Sequence, residues 1–158
     1  MAKDEINSIR VKSESEYKIE VNDKGEYIVF DMRDLSMTSK IMKMYEEIDA
    51  LNKRLEAEAA EIDARPDTEE NEAFSKNQAD GLLLIERFYA ESRKVMDTFL
   101  GEGACQKIFG DKNYVDMFDD LIEQLKPHFE KMGLNAKAIR EKTSAKYAPN
   151  REARRAMK

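Results

Sequence analysis

The sequence runs to 158 residues, with 27 Lys and Arg against 33 Asp and Glu, a net charge of −6 and a mean hydropathy of −0.74. That length suffices for one core, the single cysteine excludes an intrachain disulfide framework, and no apolar run approaches the ~20 residues of a membrane span. With no Trp, 3 Pro and 6 Gly, the composition favours helices over a many-stranded sandwich, which needs more turn residues. The start, Met1-Ala-Lys-Asp-Glu5, has no apolar leader, so the chain is expected to work inside the cell that makes it. Charge is unevenly divided. Residues 1–136 sum to about −12 and residues 137–158 to about +6, which together give the net −6. We therefore expect a single helical domain over 1–136 and a basic, partly disordered tail over 137–158.

In chain order, Tyr17, Ile19 and Val21 alternate with Lys18 and Glu20, the period of a half-buried strand. Asn22-Asp-Lys-Gly25 follows, where Gly25 can take a positive φ and Asn22 or Asp23 can bond the turn backbone. Glu26-Tyr-Ile-Val-Phe30 returns as a second strand, so a hairpin is predicted over about 16–31. Asp34 or Ser36 is the expected N-cap of a helix running to about Asp63. In it Ile41, Ile48, Leu55 and Ile62 recur every seven residues, with Met44 and Leu51 between them. This is a coiled-coil-like seam that an ordinary bundle helix would also carry.

Pro66 breaks that helix. Asp67 or Thr68 is expected to cap the next, with Glu69 and Glu70 in its first turn, unless Asp67 to Asn71 is a longer loop. Gly81 interrupts the pattern, and Leu82, Ile85, Phe88, Tyr89, Val95, Met96, Phe99 and Leu100 form a wide apolar stripe. After Gly101-Glu-Gly103 a short helical turn over Ala104 to Phe109 closes at Gly110. A last main helix is predicted from about Tyr114 to Met132, with Met117, Phe118, Leu121, Ile122, Leu125, Phe129 and Met132 inward. Pro127 is expected to kink or divide it, and Gly133 to stop it. Leu134 to Thr143 has a weak helical pattern, and disorder is expected from Ser144 onward in the free monomer. The predicted fold class is mainly α: an N-terminal β-hairpin, a small bundle of about three to four helices, and a flexible basic C-terminal tail.

Chemistry is sparse. There is no Gly-rich phosphate loop, no zinc-protease helix motif and no nucleophile elbow. Cys105 and His128 are the only cysteine and histidine, and no motif surrounds either. Asp116, Asp119 and Asp120 lack the spacing of a calcium loop and read as a solvated face. No catalytic, cofactor or metal residue is assigned, and no enzyme activity is expected. The nine methionines read first as core packing and second as an adaptable partner surface. The basic tail, with Arg140, Lys142, Lys146, Arg151, Arg154, Arg155 and Lys158, could neutralise phosphates. The acidic body opposes a duplex and no base-stacking aromatics accompany the arginines, so protein is the favoured partner. The candidate partner-binding residues are Ile41, Met44, Ile48, Leu51 and Leu55 on the seam, and Arg151, Arg154 and Arg155 in the tail.

The hairpin with Tyr27-Ile-Val-Phe-Asp31 followed by a long helix resembles the layout of tail assembly chaperones of long-tailed (siphovirus-like) bacteriophages or prophages. Ala104-Cys-Gln-Lys-Ile-Phe-Gly110 with Asn113-Tyr-Val-Asp-Met-Phe-Asp-Asp-Leu-Ile-Glu-Gln-Leu125 is similar to their short helix, Phe-Gly, polar gap and aromatic-rich helix. Asn150-Arg-Glu-Ala-Arg-Arg155 resembles the endings of many small phage morphogenesis proteins. The resemblance implies a non-catalytic protein that coats the tape measure protein before tail tube subunits polymerise around it. It further implies self-association, possible contact with the tail tube protein, action in the host bacterial cytoplasm, and absence from the mature virion. Family members are often made in two forms through ribosomal frameshifting, and this chain resembles the short form. Three alternatives stay open: a small phage connector or head-completion protein, a nucleic-acid-binding accessory protein using the basic tail, and an enzyme, which would need a Cys105/His128 or carboxylate site that no motif marks.

Overall fold

The computed structural model describes residues 5–10 and 16–133. The basic tail, the weak helical pattern after Leu134 and the disorder expected beyond Ser144 all lie outside the described residues. Six elements follow one another: strands β1 (Glu16–Glu20) and β2 (Tyr27–Asp31), then helices α1 (Ser36–Ala64), α2 (Lys76–Leu100), α3 (Ala104–Phe109) and α4 (Met117–Met132). The architecture is mainly α with an N-terminal antiparallel hairpin, as the hydrophobic periods predict. Among the described residues no helix is long and apolar enough to cross a membrane.

The hairpin pairs Tyr17 with Phe30 and Ile19 with Ile28. This register puts the apolar residues of both strands on one face, where Ile28 and Phe30 are buried. At the turn, Asn22 Oδ1 accepts from the backbone N–H groups of Lys24 (2.9 Å) and Glu26 (3.2 Å). Gly25 sits at φ +77°, the left-handed region that a side chain would strain. Asn22 Nδ2 also donates to the Lys107 carbonyl at 3.0 Å, fastening the turn to α3. The hairpin thus reaches stability as one side of a helical core.

Three rings from three elements meet at the centre. Phe30 of β2, Phe99 of α2 and Phe129 of α4 lie pairwise 5.8–6.3 Å apart, two of the pairs edge-on. All seven inward positions predicted for α4 are buried. Its start is later than predicted, at Met117, because Asp116 takes φ +60° and cannot continue a helix backwards to Tyr114. Pro127 does not divide α4. It lies on the exposed side, where the Glu123 carbonyl left without a donor can face water, while Leu125 and Phe129 anchor the helix on either side.

Helices α1 and α2 form an antiparallel pair. The ion pairs Arg54–Glu91, Glu58–Arg87 and Arg65–Asp80 step down one helix as they step up the other. Exposed pairs of this kind contribute at most about 1 kcal/mol each and mainly mark alignment. At the start of α1, Asp34 Oδ1 accepts from the Ser36 amide at 2.9 Å as the sequence suggests, although Leu35 occupies the formal cap position.

The start of α2 corrects the cap expected at Asp67 or Thr68 and bears out the alternative of a longer loop over Asp67 to Asn71. Residues 66–75 form a loop, and α2 begins at Lys76 rather than at Asp67 or Thr68. Ser75 and Gln78 build a capping box, in which Ser75 Oγ accepts from the Gln78 amide (3.2 Å) and Gln78 Oε1 from the Ser75 amide (3.0 Å). Asp67 still serves this helix end, across the loop, by accepting from the Asn77 amide at 3.0 Å. Gly81 lies within α2 and does not interrupt it.

Candidate docking groove

The seam predicted on α1 forms, and it faces the chain's own α2. Met44 and Ile48 are buried in the core, and Ile41 and Leu51 pack against its edge. Leu55 is half-buried and lies where α1 and α2 emerge from the core. Arg151, Arg154 and Arg155 lie outside the described residues.

The wide stripe on α2 divides in two. Its second half, with Met96, Phe99 and Leu100, is buried, and Val95 packs against that core. In the first half Leu84 faces α1 and is buried, whereas Leu82 is 47% and Ile85 45% exposed. The reason is coverage. There α2 meets only α1, which shelters one face, and the outer positions stay open. Leu82 and Ile85 share a concave surface with Phe74 from the loop, itself 44% exposed.

Ile85 also opens the second concavity, a groove of about 320 Å³ between α1, α2 and the start of α4. Leu55, Ile85, Phe88, Tyr89, Met117 and Phe118 supply its apolar wall. Val115, 85% exposed, stands at its edge. Asp116 and Asp119 line the rim, and among the described residues no Lys or Arg does. The segment before α4 that forms this wall is tied to α2. Tyr89 Oη donates to the Tyr114 carbonyl (3.0 Å), Arg93 Nε to Asn113 Oδ1 (3.0 Å), and the Arg93 guanidinium to the Lys112 carbonyl (2.7 Å). The Arg93 guanidinium also lies 5.8 Å from the Phe109 ring centroid.

Ser92 lines the same groove and was passed over in the sequence. It is fully buried, and among the described residues its Oγ has no hydrogen-bond partner. A serine in mid-helix ordinarily bonds the carbonyl four residues back or faces water. The signal was present: Ile85, Tyr89, Ser92, Met96 and Phe99 follow one helical stripe, and Ser92 is its polar member.

Cys105 and His128 are each engaged elsewhere. Burial, reinforced by the neighbouring Asp97 carboxylate, pushes the Cys105 thiol up to about 12, so it stays protonated. Its Sγ donates to the Arg93 carbonyl at 3.6 Å. His128 Nδ1 lies 2.7 Å from Tyr17 Oη. Among the described residues no three His, Cys, Asp or Glu side chains come together as a metal site.

Compared with known proteins, the sequence matches a family of unknown function, DUF6673, over residues 24–158, most of the chain. The chain belongs to DUF6673. The DUF6673 match takes in β2, all four helices and the basic segment beyond them. No curated protein and no solved structure is similar enough to match the chain.

Proposed function

We propose that this DUF6673 protein is a non-catalytic tail assembly chaperone of a long-tailed phage. In this reading it binds the tape measure protein in the host bacterial cytoplasm, keeps it soluble while the tail tube forms, and is left out of the finished virion. The observation that carries the reading is the uncovered apolar stripe of α2, where Leu82 and Ile85 lead into the groove at Phe88, Tyr89 and Val115. A helix with one exposed apolar stripe would lay it along such a surface, at the i, i+3, i+7 spacing of Leu82, Ile85 and Tyr89. The sequence resemblance supplies the kind of partner: a long, mostly helical chain that aggregates when bare. The acidic body would keep the resulting complex soluble, and several copies would be needed to cover one tape measure chain.

Co-expression with the tape measure protein encoded downstream tests this reading, scored by soluble recovery and light-scattering mass. A soluble complex with several copies of this chain per partner is expected, and Ile85→Asp should lower the recovery several-fold. If the partner aggregates regardless and this chain elutes alone, the chaperone reading falls. A connector role would then be examined by looking for the chain in purified virions.

A further inference from the structure

Among the described residues, the groove has an acidic rim, an apolar wall and a buried Ser92 Oγ without a partner. Its occupant should therefore bring an apolar body, a hydrogen-bonding tip and positive flanks. Residues 134–158 contain one aromatic residue, Tyr147, flanked by Lys142, Lys146 and Arg151. A tyrosine combines an apolar ring with a hydroxyl that both donates and accepts, as a buried Ser92 Oγ requires.

The chain can make this contact with itself. The groove lies at the Met117 end of α4, and residue 134 follows the other end. Sixteen helical residues separate those ends by about 24 Å. The 14 residues from 134 to 147 span up to about 46 Å when extended. Gly133 takes φ +64° and its N–H bonds the Phe129 and Glu130 carbonyls, which ends α4 there. A tether of this length gives Tyr147 a millimolar effective concentration at its own groove, far above that of a second copy at micromolar protein.

We propose that the segment around Tyr147 of the same chain occupies the groove between α1, α2 and α4, with the Tyr147 ring against Phe88 and Tyr89, its hydroxyl at Ser92 Oγ, and Lys146 and Arg151 beside Asp116 and Asp119. The inference rests on the groove and the length and charge of the segment, not on the tape measure reading, and either can fail without the other.

The test is photo-crosslinking of the full chain with benzoylphenylalanine in place of Tyr147, at micromolar concentration and low salt. The expected product has the monomer mass, with the crosslink mapped to residues 85–92 or 115–119. Adding Asp116→Lys and Asp119→Lys should lower its yield at least threefold. Crosslinks found mainly at the dimer mass would make a second copy the occupant and overturn the proposal. Crosslinks scattered outside the groove, or a yield indifferent to the two lysines, would overturn it as well. The hydroxyl contact is read from the melting temperatures of Tyr147→Phe, Ser92→Ala and the double variant. Non-additive changes are expected, and strictly additive ones would remove Ser92 from the contact.

Discussion

At the scale of single residues, the molecule depends on a few side chains that join elements far apart in sequence. Phe99 touches both Phe30 and Phe129, so truncating it opens a cavity shared by the hairpin and two helices. Phe99→Ala should cost about 3–5 kcal/mol, read as a shift in the urea midpoint. Cys105 makes a different prediction. Its thiol is held up to about 12 in the folded chain, against an ordinary value near 9. Between those values the unfolded chain loses the proton and the folded chain keeps it, so stability is intact below pH 9 and falls as pH rises toward 12. An alkaline denaturation series should show this loss in the wild type and much less of it in Cys105→Ala. At pH 8 a thiol reagent should modify Cys105 only in denaturant. Much at this scale was legible in the sequence. The seven inward residues of α4 follow from helical spacing because that helix packs on one side only. Ser92 was not, because a stripe search weighs apolar residues and passes over a small polar one among them.

At the scale of elements, the ends of helices proved harder to read than their middles. The run Asp67 to Asn71 has the acidic character of a first helical turn, yet it remains loop. Its backbone bonds are made across the loop instead: the Lys76 amide donates to the Thr68 carbonyl at 2.7 Å, and Asn71 Oδ1 accepts from Ala73 and Phe74. The reciprocal pair Ser75 and Gln78 fixes the actual start of α2, and Ser75-x-x-Gln78 was available as a signal. Ser75→Ala should cost about 1 kcal/mol, and Ser75→Asp should recover most of it. Thermal unfolding followed by circular dichroism would check both. Gly81 misled for the opposite reason. A glycine weakens a helix by only about 1 kcal/mol, and the Arg65–Asp80 and Glu58–Arg87 pairs align α1 with α2 on both sides of it.

At the scale of the whole molecule, a shared core at one end and a two-helix arm at the other share the same long helices. The heptad pattern of α1 was legible, but a period cannot say whose surface it meets. The sequence left intermolecular coiling and an ordinary bundle open, and the partner facing Met44 and Ile48 is α2 of the same chain, together with the core beneath it. The arm beyond Leu51 has few buried residues, chiefly Leu84, while Met96 through Met132 carries most of the core. Among the described helices, hydrogen exchange should therefore be faster over residues 56–64 and 76–82 than over 95–100 and 118–129, in the isolated chain. Uniform protection along α2 would contradict this division.

The contact between Tyr17 and His128 has a consequence for how the protein is made. These two residues stand 111 positions apart, so their contact forms only once α4 has emerged from the ribosome. The two long helices, neighbours in sequence, can pair much earlier, but the side of α2 that α4 will cover stays bare meanwhile. A nascent chain interrupted before Met117 would thus present its hairpin and the Met96 to Leu100 face together, unsheltered. Only once α4 has emerged from the ribosome can the core that it shares with the hairpin and α2 close.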